Sequence, residues 1–172
     1  FKGVNVPSKA FGEMVENVMQ TPSVSAENLN AMIEAGENII VLDGRPPEEY
    51  ARMNIPGARS CPNAELGYRV DSFLKDDTTR IVINCAGRTR SIIGAQSLIN
   101  AGVPNKVVAL RNGTMGWNLA GLTCESGKAR RAPQLSGGGL AWAKAAAERV
   151  ARRFGVTRVD AATLARWRAD DE

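Results

Sequence analysis

The stretch INCAGRTRS, Ile83 to Ser91, places Cys85 after a short apolar run and follows it with a small residue, a glycine, two arginines, a threonine and a serine. Cysteine reacts as its thiolate, and a loop that enters a helix stabilises that anion. Unpaired backbone N–H groups at a helix start face the loop, and the helix dipole adds positive potential there. Ala86 and Gly87 impose little bulk, so successive amides are free to curl around one point. Arg88 and Arg90 add fixed positive charge, and the side chains of Thr89 and Ser91 offer hydroxyl donors, although Ser91 equally suits a helix cap. The expected chemistry is a nucleophilic thiolate at Cys85 beside a nest for an anion. The structural alternative is a half-buried cysteine at a strand end with solvated arginines.

Other reactive side chains are sparse. Cys61 and Cys124 lack glycine-rich loops and arginine pairs and read as ordinary thiols. Asp43 and Arg45 stand at the end of another apolar run, where they either contact the site or form an ion pair that holds the loop. There is no histidine and no C-x-x-C, so neither a metal site nor any other cofactor is expected. Three cysteines make no disulfide framework, and the reduced cytoplasm is the default compartment. No apolar run approaches the roughly 20 residues that span a membrane, and the first residues lack the apolar core of a signal peptide. The 172 residues carry 12 Lys/Arg against 13 Asp/Glu before residue 128, and 10 against 5 from there on. That basic tail alternates its arginines with Ala, Val, Leu and Phe, the pattern of a solvated helix face rather than of a nucleic-acid surface.

The elements that must position Cys85 follow from the apolar pattern. IIVLD (39–43), RIVIN (80–84) and KVVAL (106–110) are short continuous apolar runs, as strands buried on both faces are. Between them, Ser25 caps a helix ended by Gly36, ELGYRVDSFL (65–74) has helical spacing, and SIIGAQSLINAG (91–102) is a helix stopped by glycine. GRPPEEYARM reads as a turn and short helix, IPGARSCP as a turn with a brief extended piece, and GTMGWNLAG as a short helix or turn. Strands alternating with helices predict an α/β domain with a mainly parallel sheet flanked by helices. Cys85 then lies in a loop between a strand and a helix N-terminus, at the carboxyl end of the sheet, where open parallel sheets bind ligands.

With those residues in place, the chain resembles the rhodanese family. Asp43-Gly44-Arg45, Glu49-Tyr50, Ile55-Pro56-Gly57-Ala58, the loop Cys85 to Arg90 and the late element Leu110 to Trp117 occur in the family's order, across roughly residues 22–127. Two positions depart from the pattern: Asn54 stands for the usual histidine and Asn112 for the first glycine of the late element. The resemblance implies a sulfurtransferase. Cys85 would take the outer sulfur of a small anionic donor such as thiosulfate, release sulfite, hold the sulfur as a persulfide and pass it to a thiol or to cyanide. The backbone amides of Ala86, Gly87, Arg88, Thr89, Arg90 and Ser91 would hold the persulfide, and Arg88 and Arg90 would bind the donor's charge. Sulfite leaves without a general acid, which suits a chain without histidine.

Two other classes of function compete. A cysteine phosphatase or arsenate reductase also closes a cysteine loop with arginine, but four residues separate Cys85 from Arg90, one fewer than phosphatase-type loops carry. A non-catalytic, regulatory or sulfur-carrier module is the other. As to organisation, residues 1–21 read as a leader that is a remnant of a preceding copy, and 22–128 as the rhodanese domain. Residues 129–172 read as a basic linker, an amphipathic helix with Leu140, Ala143, Ala147, Val150 and Phe154 on one face, and the start of a following copy. VDAATLARWR (159–168) echoes VSAENLNAMI (24–33), so neighbouring rhodanese domains are expected.

Overall fold

The computed structural model describes residues 6–74 and 76–170. Five strands, β1 (Ser23–Val24), β2 (Ile39–Asp43), β3 (Arg59–Ser60), β4 (Arg80–Asn84) and β5 (Val107–Leu110), form one sheet in the order β1-β5-β4-β2-β3, all pairs parallel. Around it lie α1 (Pro7–Met19), α2 (Ala26–Glu34), α3 (Pro47–Arg52), α4 (Asn63–Arg69), α5 (Thr89–Ala101), α6 (Gly113–Leu119), α7 (Gly137–Arg153) and α8 (Ala161–Asp170). The expected α/β architecture is present.

Strand side chains alternate between two cores. Val41, Val82 and Val108 face Leu29 of α2, Tyr50 of α3 and Trp117 of α6. Leu42, Ile81, Ile83 and Ala109 face Leu66 of α4 and Ile92, Ala95 and Leu98 of α5. Burial on both faces is why these strands read as unbroken apolar runs. The Ser25 hydroxyl caps α2 by accepting from the Asn28 amide at 3.2 Å. The RVDSFL segment tightens from α4 into a 3-10 turn over Val70–Phe73.

Three features differ from the expectation. Residues 7–19, expected only as part of a leader, form α1, which starts on Pro7 and lays Val15 against the α4–α5 core. The chain after 128 continues the sheet edge: the Ser60 amide donates to the Arg130 carbonyl at 2.8 Å, and Ser60 and Arg131 pair in parallel. On α7 the buried residues are Gly139 and Ala146, with Trp142 half-buried against the core, while Leu140 and Phe154 are 44% and 49% exposed. Small residues decide that rotation, because they let α7 approach closely. Asp71 Oδ2 stands only 2.9 Å from where a Cβ on Gly139 would sit. α8 buries none of its side chains.

Candidate active site

Cys85 to Arg88 connect β4 to α5, and Cys85 is 1% exposed. α5 has neither a side-chain cap nor an acidic residue in its first turn. Its first backbone bond runs from the Ile92 amide to the Arg88 carbonyl at 3.2 Å. Among the described residues, none of the amides of Ala86, Gly87, Arg88, Thr89, Arg90 and Ser91 donates to a protein acceptor. Six successive donors are therefore free around the cysteine.

The late element orients the first two of them, those of Ala86 and Gly87. The Cys85 carbonyl accepts from the Thr114 amide at 2.9 Å and the Ala86 carbonyl from the Met115 amide at 3.0 Å. The Thr114 hydroxyl also reaches the Ala86 carbonyl at 3.3 Å. All peptides are trans, so a carbonyl turned to α6 turns the N–H on the same peptide plane away from it. Gly113 makes this contact possible: a Cβ there would lie 2.1 Å from the Cys85 carbonyl oxygen, and its φ is +53°. Asn112, where the family carries glycine, takes φ 59°, a left-handed conformation that asparagine tolerates. At Gly87, by contrast, nothing lies within 4 Å of a Cβ position, so the loop is open there.

The two arginines part company. Arg90 holds Glu49 in a two-pronged pair, Nη1 to Oε1 at 2.8 Å and Nη2 to Oε2 at 2.9 Å. That hydrogen bonding keeps the Glu49 carboxyl below the usual range, helped by the charges of Arg90, Arg45 and Arg52. Arg90 in turn is held in its charged form, first by its hydrogen bonds to Glu49 and further by the charges of Glu49 and Asp43. Arg88 does not join it. Its guanidinium reaches out to α1, to Glu13 at 2.8 Å and Glu16 at 2.6 Å. The two guanidinia thus meet different elements, Arg90 at α3 and Arg88 at α1.

The Ser91 hydroxyl turns aside: Ser91 Oγ donates to the Arg88 carbonyl at 2.8 Å and lies 3.3 Å from the Leu110 carbonyl. Thr89 presents its γ-methyl to Gly12 of α1.

Asp43 and Arg45 form a buried pair with bonds of 2.8 and 2.7 Å. Arg45 donates on to the Met53 carbonyl at 2.5 Å, and Asn84 Nδ2 donates to Asp43 at 2.7 Å. The network ties the ends of β2 and β4 to the end of α3, directly beneath the residue that precedes Cys85. Asn54 is fully buried and donates to the Tyr50 carbonyl at 3.1 Å, a packing role away from the loop. Glu49, Thr114, Met115 and the α1 glutamates are partners that reading of the loop alone did not assign. Cys61 is fully buried, and its thiol is pushed up to about 12 by burial and then by the charge of Glu65. Burial raises the Cys124 thiol as well. A cavity of about 540 Å³ lies at the opposite, amino-terminal ends of β2 and β4, beside Asn38, Ile39 and Thr79.

A parallel α/β sheet that ends in a cysteine loop with six unpaired amides defines a class of cysteine-loop α/β domains. Within that class, the family model of the rhodanese-like domain matches residues 25–120, and the chain belongs to that family. A crystal structure of thiosulfate sulfurtransferase from Pseudomonas aeruginosa is similar over 98% of this chain and 32% of its own, with a TM-score of 0.91 and 52% identity. The putative sulfur carrier protein YrkF of Bacillus subtilis is 29% identical over 102 residues, 59% of this chain and 54% of that protein. A sulfurtransferase of Allochromatium vinosum is 29% identical over 99 residues, 58% of this chain and 90% of its own. The chain thus spans about half of the Bacillus relative and about a third of the Pseudomonas chain. Among the described residues no helix is long and apolar enough to cross a membrane.

Proposed function

We propose that the protein is a sulfurtransferase that carries sulfane sulfur as a persulfide on Cys85. The Cys85 thiolate attacks the outer sulfur of thiosulfate or a similar donor; the S–S bond of the donor breaks and its electron pair leaves on sulfite. The persulfide carries one negative charge, as the thiolate did, and the amides of Ala86 to Ser91 are placed to bind it. Arg90, held by Glu49, supplies the guanidinium beside the loop. An acceptor thiol or cyanide then takes the terminal sulfur and restores the thiolate, so no step calls for histidine. The observation that carries this reading is the set of six free amides around a buried cysteine, in a family whose similar members are named for sulfur transfer.

Incubation with thiosulfate should add the mass of one sulfur atom, removable by cyanide with thiocyanate as product. An unchanged mass in a folded sample would sink the reading. The Bacillus relative's name favours a second one, a carrier that takes sulfur from another persulfide but does not use thiosulfate. Loading by an organic persulfide alone would identify it. We further propose that neighbouring rhodanese domains flank residues 22–128 in a longer polypeptide. The echo of residues 24–33 in 159–168, now largely on α8, supports this arrangement.

A further inference from the structure

Arg88 borders the loop, yet two carboxylates hold it from outside. Glu13 and Glu16 lie one turn apart on α1, so both reach the same guanidinium, at 2.8 and 2.6 Å. The helix is pressed onto the loop at this point. A Cβ on Gly12 would stand 2.9 Å from Thr89 Cγ2, and Val15 reaches the core. The other side of the loop is balanced differently: Arg90 meets one carboxylate, Glu49, and keeps its remaining N–H donors. The Arg90 side is neutral as a pair, whereas the Arg88 side carries one negative charge in excess.

We propose that Glu13 and Glu16 are specificity-determining residues of the sulfur-donor site. By holding Arg88 away from the loop, they leave donor binding to Arg90 and the amides, and they favour singly charged donors over doubly charged ones. The inference rests on the sulfurtransferase reading and concerns which donor that site prefers. Thiosulfate is a dianion, while an alkanethiosulfonate offers the same outer sulfur with one charge fewer and leaves as a sulfinate. Cys85 attacks either donor in the same way, so their ratio isolates charge from chemistry.

The test compares kcat/KM for thiosulfate and methanethiosulfonate in the parent and in the Glu13→Gln/Glu16→Gln variant. Release of Arg88 should raise thiosulfate use about tenfold and thiosulfonate use about threefold, the range of electrostatic steering. The gap should close near about 1 M salt, where screening acts within about 3 Å. Arg88→Ala in the variant should remove the gain. A gain that survives Arg88→Ala would show loosening of α1 instead and overturn the proposal. So would an unchanged donor ratio in a variant with Arg88 intact. If the parent takes sulfur from neither donor, the sulfurtransferase reading itself falls, an outcome visible in the mass of Cys85 before any rate is compared.

Discussion

Two cysteines of this chain occupy the same topological place and face opposite fates. Cys61 follows β3 and precedes α4; Cys85 follows β4 and precedes α5. Both thiols are buried at the carboxyl ends of parallel strands of the one sheet, with β2 between them. Between Cys61 and α4 stands a single residue, Pro62, which has no N–H, and Glu65 occupies the first turn of that helix. Between Cys85 and α5 stand three residues, all with amides, and no acid follows in the first turn. One junction surrounds its sulfur with Leu66, Val70 and Phe73, the other with free donors. On the proposed reading, position at the end of a strand does not by itself make a nucleophile; the length and charge of the turn into the helix would.

The largest expected effect would break the comparison outright. Cys85→Ser should abolish sulfur loading from thiosulfate, while Cys61→Ser should load fully; loading lost in the second variant and kept in the first would reverse the assignment. Next comes the backing of the loop. Gly113→Ala drives a Cβ into the Cys85 carbonyl, so it should cost roughly 1–3 kcal/mol in urea denaturation and lose loading. Gly87→Ala, at the open side, should stay within about 0.5 kcal/mol. Equal costs would mean that α6 does not hold the loop.

Arg90→Ala should lower kcat/KM for thiosulfate by about 10- to 100-fold, the equivalent of roughly 1.5–3 kcal/mol for a lost charged contact. Alkylation sharpens the contrast of thiols. Cys61, with its thiol at about 12, should resist iodoacetamide in the folded protein at neutral pH and react on unfolding. The smallest effect lies in acid. Glu49 is lowered from 4.5 by Arg90, so its pair contributes above that pH and is lost as pH falls through the lower, folded value. The difference in urea midpoint between the parent and Glu49→Gln should be constant well above pH 4.5 and fade as pH falls from there through the lower, folded value.

The strands and the cysteine loop were legible because their signals are local. IIVLD and RIVIN are continuous apolar runs, and Cys85 to Ser91 carry their small and basic residues side by side. The partners of Arg88 were not legible, since Glu13 and Glu16 lie 75 and 72 residues away in the chain. α1 had a readable start at Pro7, but its apolar residues largely face outward: Phe11, Met14 and Val18 are 52%, 54% and 73% exposed. The α7 stripe was shifted because size, not hydropathy, chose the face: Gly139 and Ala146 admit α4 where Leu140 would not. Ser91 could read as cap or donor, and only the fold shows its hydroxyl bonded to the Arg88 carbonyl.

The hold of α6 on the Cys85 and Ala86 carbonyls has a consequence for rate. In water, dipoles around a forming anion must rotate as charge moves from one sulfur to the next, and that rotation is part of the activation barrier. Here the first two peptide dipoles of the loop are bolted to α6 by the bonds from Thr114 and Met115. In the proposed transfer, charge would then migrate from the thiolate to a persulfide sulfur one bond away with little reorganisation of its surroundings.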